Sequence, residues 1–242
     1  MDFLAYHKSG KKSIVKNKNI SFNTDFGMVD RKILLAAKNG DVVKTSTNEE
    51  LTLIEPSYID KYLGMKKGAA CIKLKDCGAI LAGTMVGKDS VCFDCGAGMG
   101  GLTCFLARYV KKVYSMDNRK DHLKTVRENV ENLGLTNVDL IEGDIYEGIP
   151  KKNLDLITLD VISPEKVVIE AKKSLRYGGF VVAYCPQATQ MLAFANECID
   201  KGLDIVTAKE INSRAWKLSG KIARPEHVGL MHTGFLIFAR KI

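Results

Sequence analysis

Residues 91–103 read Val91-Cys-Phe-Asp-Cys-Gly-Ala-Gly-Met-Gly-Gly-Leu-Thr103, an apolar run followed by closely spaced glycines. The run Val91–Asp94 predicts a buried strand, and Leu102–Val110 predicts the helix after it. Three of the glycines fit the pattern G-x-G-x-x-G, which lets the backbone approach a ligand closely where a strand turns into a helix. A nicotinamide site would share this pattern, so the stretch predicts a fold and leaves the ligand open.

Strands and helices alternate after this stretch, as in a doubly wound α/β fold with a mostly parallel sheet. The predicted elements are strands at Val113–Met116, Val138–Ile141, Leu154–Leu159 and Phe180–Ala183, and helices at Asp121–Leu133, Pro164–Leu175 and Thr189–Lys201. The ending departs from the alternation. Ile205–Ile211 and Phe235–Ala239 both look like strands with no helix between them, which predicts a terminal antiparallel pair.

The start of the chain has a different pattern. Short alternating stretches such as Leu51–Ile54, separated by glycines, predict small β elements, and Ser57–Gly64 predicts a short helix. We therefore expect two domains. Residues 1–70 would form a small β-rich domain with a linker helix, and residues 71–242 would form the α/β domain.

Successive strands of the predicted sheet each end in a carboxylate, namely Asp117, Asp144 and Asp160. Ligands of such sheets bind at the carboxyl edge. Asp117 can accept from ribose hydroxyls, Asp144 can accept from an adenine amino group, and Asp160 lies further along, toward the reactive end. This order matches an S-adenosylmethionine site. The alternative is that strand-end aspartates only cap the helices that follow them.

Lys and Arg number 36 against 28 for Asp and Glu, which gives a net charge of +8. This balance favours polyanionic partners but specifies none, and the scattered lysine pairs can equally be solvated surface. No apolar run reaches the length of a membrane span, and the first ten residues lack the apolar core of a signal peptide. We therefore expect a cytoplasmic protein without a membrane partner.

Seven cysteines are present, and Cys92-x2-Cys95 with Cys71 and Cys77 upstream raises the question of a zinc site. Residues three apart on a strand point to opposite faces, so Cys92 and Cys95 could not close on one ion. We expect no metal, and buried thiols rather than disulfides.

Several longer motifs follow one another along the chain. They are Asp94–Thr103, Gly143-Asp-Ile-Tyr-Glu-Gly148, Leu159-Asp160, Val182-Ala-Tyr-Cys-Pro186 and His232-Thr-Gly-Phe-Leu236, together with Asp60–Gly68 leading to Lys75-Asp76. From about Asp25 to Ile242 the chain resembles the archaeal-type tRNA (adenine-N1) methyltransferases, which are class I, Rossmann-like enzymes. It departs from them at Lys73-Leu74, where the family usually has an aromatic or imidazole residue followed by proline.

The resemblance implies methylation of N1 of adenine in the tRNA T loop, at position 58 and in archaeal members also 57, by a homotetramer that uses S-adenosylmethionine. It assigns to the cofactor Gly96, Gly98, Met99, Gly100, Gly101, Leu102, Asp117, His122, Asp144 and Asp160. It implies two catalytic residues: Asp160 beside the transferring methyl group, and Tyr184 in the pocket that receives the flipped base.

The stretch between the last two predicted strands carries Arg214, Trp216, Lys217, Lys221 and Arg224. We interpret it as a surface that faces RNA or another subunit, with packing of Trp216 in the core as the alternative. His227 and His232 are interpreted as structural histidines, because no proton needs to be removed from N1 of adenine.

Three other functions fit part of this pattern. Corrin-precursor methyltransferases have a similar Gly-Ala-Gly-x-Gly-Gly-Leu-Thr loop, although the N-terminal β elements argue against that function. A noncatalytic RNA-binding protein on the same scaffold and a nicotinamide oxidoreductase are the remaining alternatives, and S-adenosylmethionine binding would discriminate against both.

Overall fold

The computed structural model describes residues 3–66, 68, 71–226 and 232–242. The chain forms two compact units, Met1–Met65 and Lys66–Ile242. The predicted boundary, after residue 70, lies a few residues further along the chain. His227 lies outside the described residues.

The first unit contains small β elements and two short helices. The strands are β1 (Phe3–His7), β2 (Lys12–Val15), β3 (Phe22–Thr24), β4 (Gly27–Val29), β5 (Val42–Lys44) and β6 (Glu50–Ile54), and the helices are α1 (Arg31–Ala36) and α2 (Tyr58–Leu63). Four strands form an antiparallel sheet in the order β2-β1-β6-β5, and β3 pairs with β4. Leu51 and Leu53 of β6 are buried between more exposed neighbours, which confirms the alternation predicted there.

The second unit is an α/β layer structure. Its strands are β7 (Val91–Cys95), β8 (Lys112–Asp117), β9 (Val138–Glu142), β10 (Leu154–Leu159), β11 (Leu175–Cys185), β12 (Asp204–Glu210), β13 (Trp216–Ser219), β14 (Ile222–Pro225) and β15 (Phe235–Arg240). Its helices are α3 (Leu74–Thr84), α4 (Gly101–Ala107), α5 (Lys120–Asn132), α6 (Val168–Ser174) and α7 (Ala188–Asp200), with short 3-10 helices at Ile145–Glu147 and Pro164–Val167.

Seven strands of this unit form one sheet in the order β12-β15-β11-β10-β7-β8-β9. The strands from β11 to β9 in this order are parallel, whereas β15 runs antiparallel to both β11 and β12. The predicted mostly parallel sheet with a terminal antiparallel pair is therefore confirmed.

The central strands are buried on both faces, as expected for parallel strands covered by helices. Leu156 and Cys92 lie in the apolar cluster on one face, and Ile157 and Cys95 lie in the cluster on the other. The two cysteines therefore point to opposite layers, as the strand prediction requires. Within the described ranges, no group of three or more His, Cys, Asp or Glu side chains is arranged to hold a metal ion.

Some predicted boundaries were wrong for local reasons. The helix predicted to reach Val110 ends at Ala107, where the backbone hydrogen bonds tighten to a spacing of three residues (Arg108 to Phe105 and Tyr109 to Leu106). The side-chain amide of Asn137 donates to the carbonyls of Ala107 (2.9 Å) and Val110 (2.8 Å) at this end. The helix predicted over Pro164–Leu175 is split: it starts as a 3-10 turn, and Leu175 already belongs to β11.

Among the α-helices and strands of the second unit, α3, β13 and β14 were not predicted, and helix α1 of the first unit was not predicted either. The two strands form a hairpin in the stretch before β15. Trp216 in this hairpin is 58% exposed, so the alternative that it packs in the core is wrong. Over the described part of the chain, no helix is both long enough and apolar enough to cross a membrane.

Two glycines in α3 test how tightly this helix packs against the sheet. A Cβ at Gly83 would lie 2.6 Å from the ring of Phe238, which is fully buried and cannot move away, whereas a Cβ at Gly78 would meet nothing within 4 Å. We expect Gly83→Ala to lower the free energy of unfolding by about 1–3 kcal/mol through overpacking. Gly78→Ala should raise it by about 0.5–1 kcal/mol, because alanine favours a helix interior.

Urea unfolding of both variants measures the difference, and each serves as the control for the other. Equal effects at the two positions would contradict the packing of α3 on β15.

Candidate active site

A cavity of about 400 Å³ opens at the carboxyl ends of β7, β8, β9 and β10. It is lined by Cys95, Gly96, Gly98, Met116, Asp117, Asn118, Arg119, His122, Gly143, Asp144, Ile145, Tyr146, Asp160, Val161 and Ile162. Ligands of open α/β sheets bind at this edge, and the volume falls in the range of about 300–1,000 Å³ that is usual for small-molecule sites.

The cavity brings together six of the predicted site residues: Gly96, Gly98, Asp117, His122, Asp144 and Asp160. Gly101 and Leu102 line a second, much smaller cavity of about 10 Å³, which shares Gly96 and Asp160 with the first. Of the predicted site residues, which all lie in the described part of the chain, Met99, Gly100 and Tyr184 line neither cavity.

The loop after β7 needs glycine because it passes very close to the end of β10. Gly96 has a φ of +84°, and a Cβ there would lie 2.0 Å from the carbonyl oxygen of Asp160. The amide of Asp160 in turn donates to the carbonyl of Cys95 (2.9 Å). The glycine loop and the Asp160 backbone are thus in direct contact, so the position of one fixes that of the other.

Asp117, at the end of β8, organises the neighbouring part of the cavity. Its carboxylate accepts hydrogen bonds from the amides of Gly98 (3.0 Å) and Arg119 (3.0 Å) and pairs with Nδ1 of His122 (3.1 Å). Asp117 is buried, and the three bonds fix both of its oxygens and orient the imidazole of His122.

Asp144, after β9, has a local structural role as well as a place in the cavity. One of its carboxylate oxygens accepts from the amide of Tyr146 (3.0 Å) and caps the 3-10 turn that follows, so the capping alternative applies to this residue. The hydroxyl of Tyr146 then accepts from the amide of Ser163 (3.0 Å), which ties the loop after β9 to the loop after β10.

Asp160 differs from the other two carboxylates. Among the described residues, no donor is hydrogen-bonded to its carboxylate, which therefore remains available to a ligand. Burial, together with the nearby negative charge of Asp94, raises the pKa of Asp160 to about 7. This carboxylate is close to half-protonated in neutral solution, and a nearby cation would favour its ionised form.

Asp94, which lies at the carboxyl end of β7 below the glycine loop, is almost fully buried. It accepts hydrogen bonds from the hydroxyls of Thr103 (2.6 Å) and Thr158 (2.7 Å), and Thr103 also bonds to Ser115 (2.7 Å). These bonds link α4, β10 and β8 to β7. Burial raises the pKa of Asp94, although the two hydroxyls act against that rise.

Sequence reasoning missed several residues of the cavity wall, notably Arg119, Tyr146 and Ile162. Each lies within two residues of a predicted strand-end aspartate, so proximity in sequence was a usable signal. The guanidinium of Arg119 pairs with Asp121 (2.6 Å) at the cavity mouth. Ile162 is 84% exposed, so the rim of the cavity next to Asp160 has an apolar side chain in contact with solvent.

The chain is similar to known methyltransferases over most of its length. Residues 87–219 match the family model described as a methyltransferase domain. The chain is 31% identical over 225 residues to the tRNA (adenine(58)-N(1))-methyltransferase TrmI of Thermus thermophilus, covering 91% of this chain and 88% of that protein. It is 28% identical over 267 residues to the tRNA (adenine(57)-N(1)/adenine(58)-N(1))-methyltransferase TrmI of Methanocaldococcus jannaschii, covering 98% of this chain and 94% of that protein.

Solved structures and a third relative complete the comparison. A SAM-dependent O-methyltransferase from Thermotoga maritima superposes with a TM-score of 0.89 at 25% identity, over 100% of this chain and 93% of that one. The tRNA (m1A58) methyltransferase TrmI of Aquifex aeolicus superposes with a TM-score of 0.84 at 21% identity, over 100% of this chain and 97% of that one. This second superposition supports the fold. A probable cobalt-precorrin-6B C(15)-methyltransferase from Methanothermobacter thermautotrophicus is 31% identical but matches 61% of this chain and 80% of its own length.

The raised pKa of Asp160 has a consequence for stability. Its folded pKa of about 7 lies above the ordinary carboxyl value of 3.8, so the folded state binds the proton more tightly than the unfolded state. The stabilisation of the folded state by the proton on Asp160 is therefore fully present below about pH 4 and is lost as the pH rises through about 7. Raising the pH from 5 to 8 should therefore lower the unfolding free energy of wild type relative to that of Asp160→Asn, by on the order of 2 kcal/mol.

Urea unfolding of both proteins at the two pH values measures this difference. A constant difference between wild type and Asp160→Asn would mean that the carboxylate titrates normally.

Proposed function

The chain belongs to the tRNA (adenine-N1)-methyltransferase family, and we propose that it transfers a methyl group from S-adenosylmethionine to N1 of adenine 58 in the T loop of tRNA. The observation that supports this most directly is the presence of Asp117, Asp144 and Asp160 around one cavity, in the order that such a cofactor needs. Similarity to enzymes of this name over nearly the whole chain supports it independently.

The cofactor of the family is S-adenosylmethionine, and the residues of the cavity suit it. The glycine loop leaves room for a ligand where side chains would fill the space, and Asp117 can accept from ribose hydroxyls through lone pairs that its three present partners leave free. Asp144 is placed to accept from the adenine amino group. The carboxylate of Asp160 has no donor among the described residues and is suited to a cationic neighbour.

The cofactor supplies an electrophilic methyl group carried on a sulfonium. N1 of adenine has a lone pair that is unprotonated at neutral pH, so the protein needs no base to create the nucleophile. The task of the chain is to hold the two partners in line, which can contribute roughly 7–11 kcal/mol to lowering the barrier. The target base must first leave its stack, at a cost of a few kcal/mol.

We assign to Asp160 the electrostatic part of the reaction. The methylated ring becomes cationic, so a carboxylate that accepts from the exocyclic amino group stabilises the transition state more than the ground state. The ionised form is the active one. Since the pKa of Asp160 in the free protein is about 7, kcat/KM for S-adenosylmethionine, which reports the free enzyme, should rise with pH through neutrality and level off above it.

Incubation of the chain with an unmodified tRNA transcript and labelled S-adenosylmethionine, followed by nucleoside analysis, tests the function. We expect 1-methyladenosine, and its loss when adenine 58 of the transcript is replaced by guanine. Digestion into fragments decides whether adenine 57 is used as well. Asp160→Ala should lower turnover by roughly 10² to 10³, as loss of a preorganised electrostatic partner does.

Calorimetry with S-adenosylmethionine is the control for this variant, because affinity for the cofactor should change much less than turnover. Wild-type turnover in Asp160→Ala would remove Asp160 from the mechanism. Label that enters a nucleoside other than 1-methyladenosine would contradict the proposed target, and so would label outside position 57 in transcripts whose adenine 58 is replaced by guanine.

The corrin-precursor alternative is not favoured, because the precorrin relative matches a smaller part of the chain than the TrmI proteins do. Membership of the methyltransferase family also excludes the nicotinamide alternative. Because the proposed substrate is tRNA, we place the reaction in the cytoplasm.

The β13–β14 hairpin offers surfaces for RNA and for a second subunit. Opposite residues of an antiparallel pair share a face, so Trp216 and Leu218 lie on one face with Pro225 and Ala223, whereas Lys217 and Arg224 share the other. Leu218 is 75% exposed. We propose that the apolar face contributes to a homotetramer and that the basic face contacts tRNA phosphates.

Substitutions on the two faces of the hairpin separate these roles. Trp216→Ser with Leu218→Ser should shift the chain from tetramer to smaller species in analytical ultracentrifugation, because two exposed apolar anchors are lost. Lys217→Ser on the opposite face is the matched control. It should leave the mass unchanged and weaken tRNA binding in a salt-dependent way. An unchanged mass in the double variant would place the subunit contact elsewhere.

A further inference from the structure

A second buried polar cluster lies in the same unit, outside both cavities. Lys75 and Asp76 at the start of α3 form an ion pair, with Nζ of Lys75 at 2.8 Å and 3.0 Å from the two carboxylate oxygens. The hydroxyl of Thr233, just before β15, accepts from Nζ of Lys75 (2.5 Å) and donates to Asp76 (2.9 Å). Asp76 is fully buried, and the side chain of Lys75 is 19% exposed.

The backbone at Thr233 is held from a second side. The imidazole of the preceding residue, His232, bonds through Nδ1 to Glu210 (2.5 Å) and through Nε2 to the carbonyl of Pro186 (2.9 Å). The segment before β15 is therefore fixed both to α3 and to the residues that follow β11.

Tyr184 on β11 depends on this fixed segment. Its hydroxyl donates to the carbonyl oxygen of Thr233, and a Cβ at Gly234 would lie 2.6 Å from two of its ring carbons. Only a glycine leaves room for the ring at this position, and the phenolic proton is donated to the backbone carbonyl of Thr233. Burial, with the Asp76 and Asp160 carboxylates nearby, raises the pKa of this phenol, so Tyr184 presents a fixed ring and no acid or base.

The strand register places this ring next to the reactive carboxylate. In the parallel pair of β10 and β11, the last residue of β10, Leu159, lies opposite Ala183, so Asp160 follows the end of β10 at the level of Tyr184 on β11. The two groups are near enough for the Asp160 carboxylate to raise the pKa of the Tyr184 phenol. Neighbouring strands are about 4.8 Å apart, and matching positions face the same side of the sheet. A planar base lying against Tyr184 would therefore have its edge close to Asp160.

We propose that Thr233, held by the Lys75–Asp76 pair, is a positioning residue that fixes Tyr184 as one wall of the pocket for the target base. This role rests on the proposed function. Thr233 does not touch the base. It sets the distance between the base and Asp160 by holding the phenol at one point, while the cofactor cavity does not depend on it.

The decisive comparison is Thr233→Val with Thr233→Ser. Valine keeps the shape and the ion pair of Lys75 with Asp76 but removes the hydroxyl, whereas serine keeps the hydroxyl. We expect kcat/KM for tRNA to fall about tenfold in Thr233→Val, which is the size of effect expected from the loss of about one hydrogen bond. Thr233→Ser should stay within about twofold of wild type. Affinity for S-adenosylmethionine, measured by calorimetry, should be unchanged in both.

Tyr184→Phe removes the next link, the hydrogen bond from the phenol to the backbone carbonyl of Thr233, and keeps the test decisive if Thr233→Val folds poorly. It should show a similar loss, and combining the two substitutions should add nothing, because the two hydrogen bonds act in series along one link from α3 to Tyr184. Additive losses, wild-type kcat/KM in Thr233→Val, or an equal loss of cofactor affinity would each overturn the proposal.

An independent measurement separates this role from the proposed function. In protein labelled with ¹³Cζ-tyrosine, the resonance missing in Tyr184→Phe belongs to Tyr184, and it should shift in Thr233→Val but not in Thr233→Ser. An unmoved resonance would overturn the anchor whatever the activity. A wild-type protein that binds S-adenosylmethionine but leaves tRNA unmodified would instead overturn the proposed function, and the resonance would still decide whether the anchor exists.

Discussion

A single buried carboxylate, that of Asp94, holds the centre of the catalytic unit together. Removing a carboxylate from water is costly unless hydrogen bonds replace those to solvent, and Asp94 obtains them from Thr103 and Thr158. Those donors belong to α4 and β10, and the link from Thr103 to Ser115 extends to β8. The strands whose ends form the cavity are therefore tied to one point below it. The negative charge of Asp94 also raises the pKa of Asp160, so the same group supports the fold and tunes the site.

A close backbone contact fixes the position of the glycine loop relative to Asp160 at the cavity. Gly96 lies so near the carbonyl of Asp160 that no side chain fits between them, and the amide of Asp160 bonds back to Cys95. The end of β10 therefore cannot shift without moving the loop after β7. Asp117 fixes the same loop from the other side through the amide of Gly98. A ligand held by the glycine loop is thereby held at a defined distance from Asp160.

The features that sequence reasoning could predict are those carried by local spacing. The apolar run before the glycines, the alternation of elements and the aspartates at strand ends are all short-range patterns, and they predicted the sheet and much of the cavity. The contact between Thr233 and Asp76 joins residues 157 apart in the chain, so no local pattern could predict it. Helix α3 was missed because its two glycines lower helix propensity. Its packing against β15 stabilises the helix in spite of them. The hydroxyl bond that turns Tyr184 into a fixed wall depends on a backbone carbonyl that the sequence does not specify.

The proposed reaction conserves charge within the cavity, and this limits what Asp160 can contribute. One positive charge is present before transfer, on the sulfonium, and one after it, on the adenine ring. A carboxylate equally close to both positions would stabilise the ground state and the transition state alike and would not accelerate the reaction. Asp160 can act only if the ring that gains the charge lies nearer to it than the sulfur that loses it. That difference depends on where the base rests, and the fixed ring of Tyr184, on the strand next to Asp160, is the surface that would determine it.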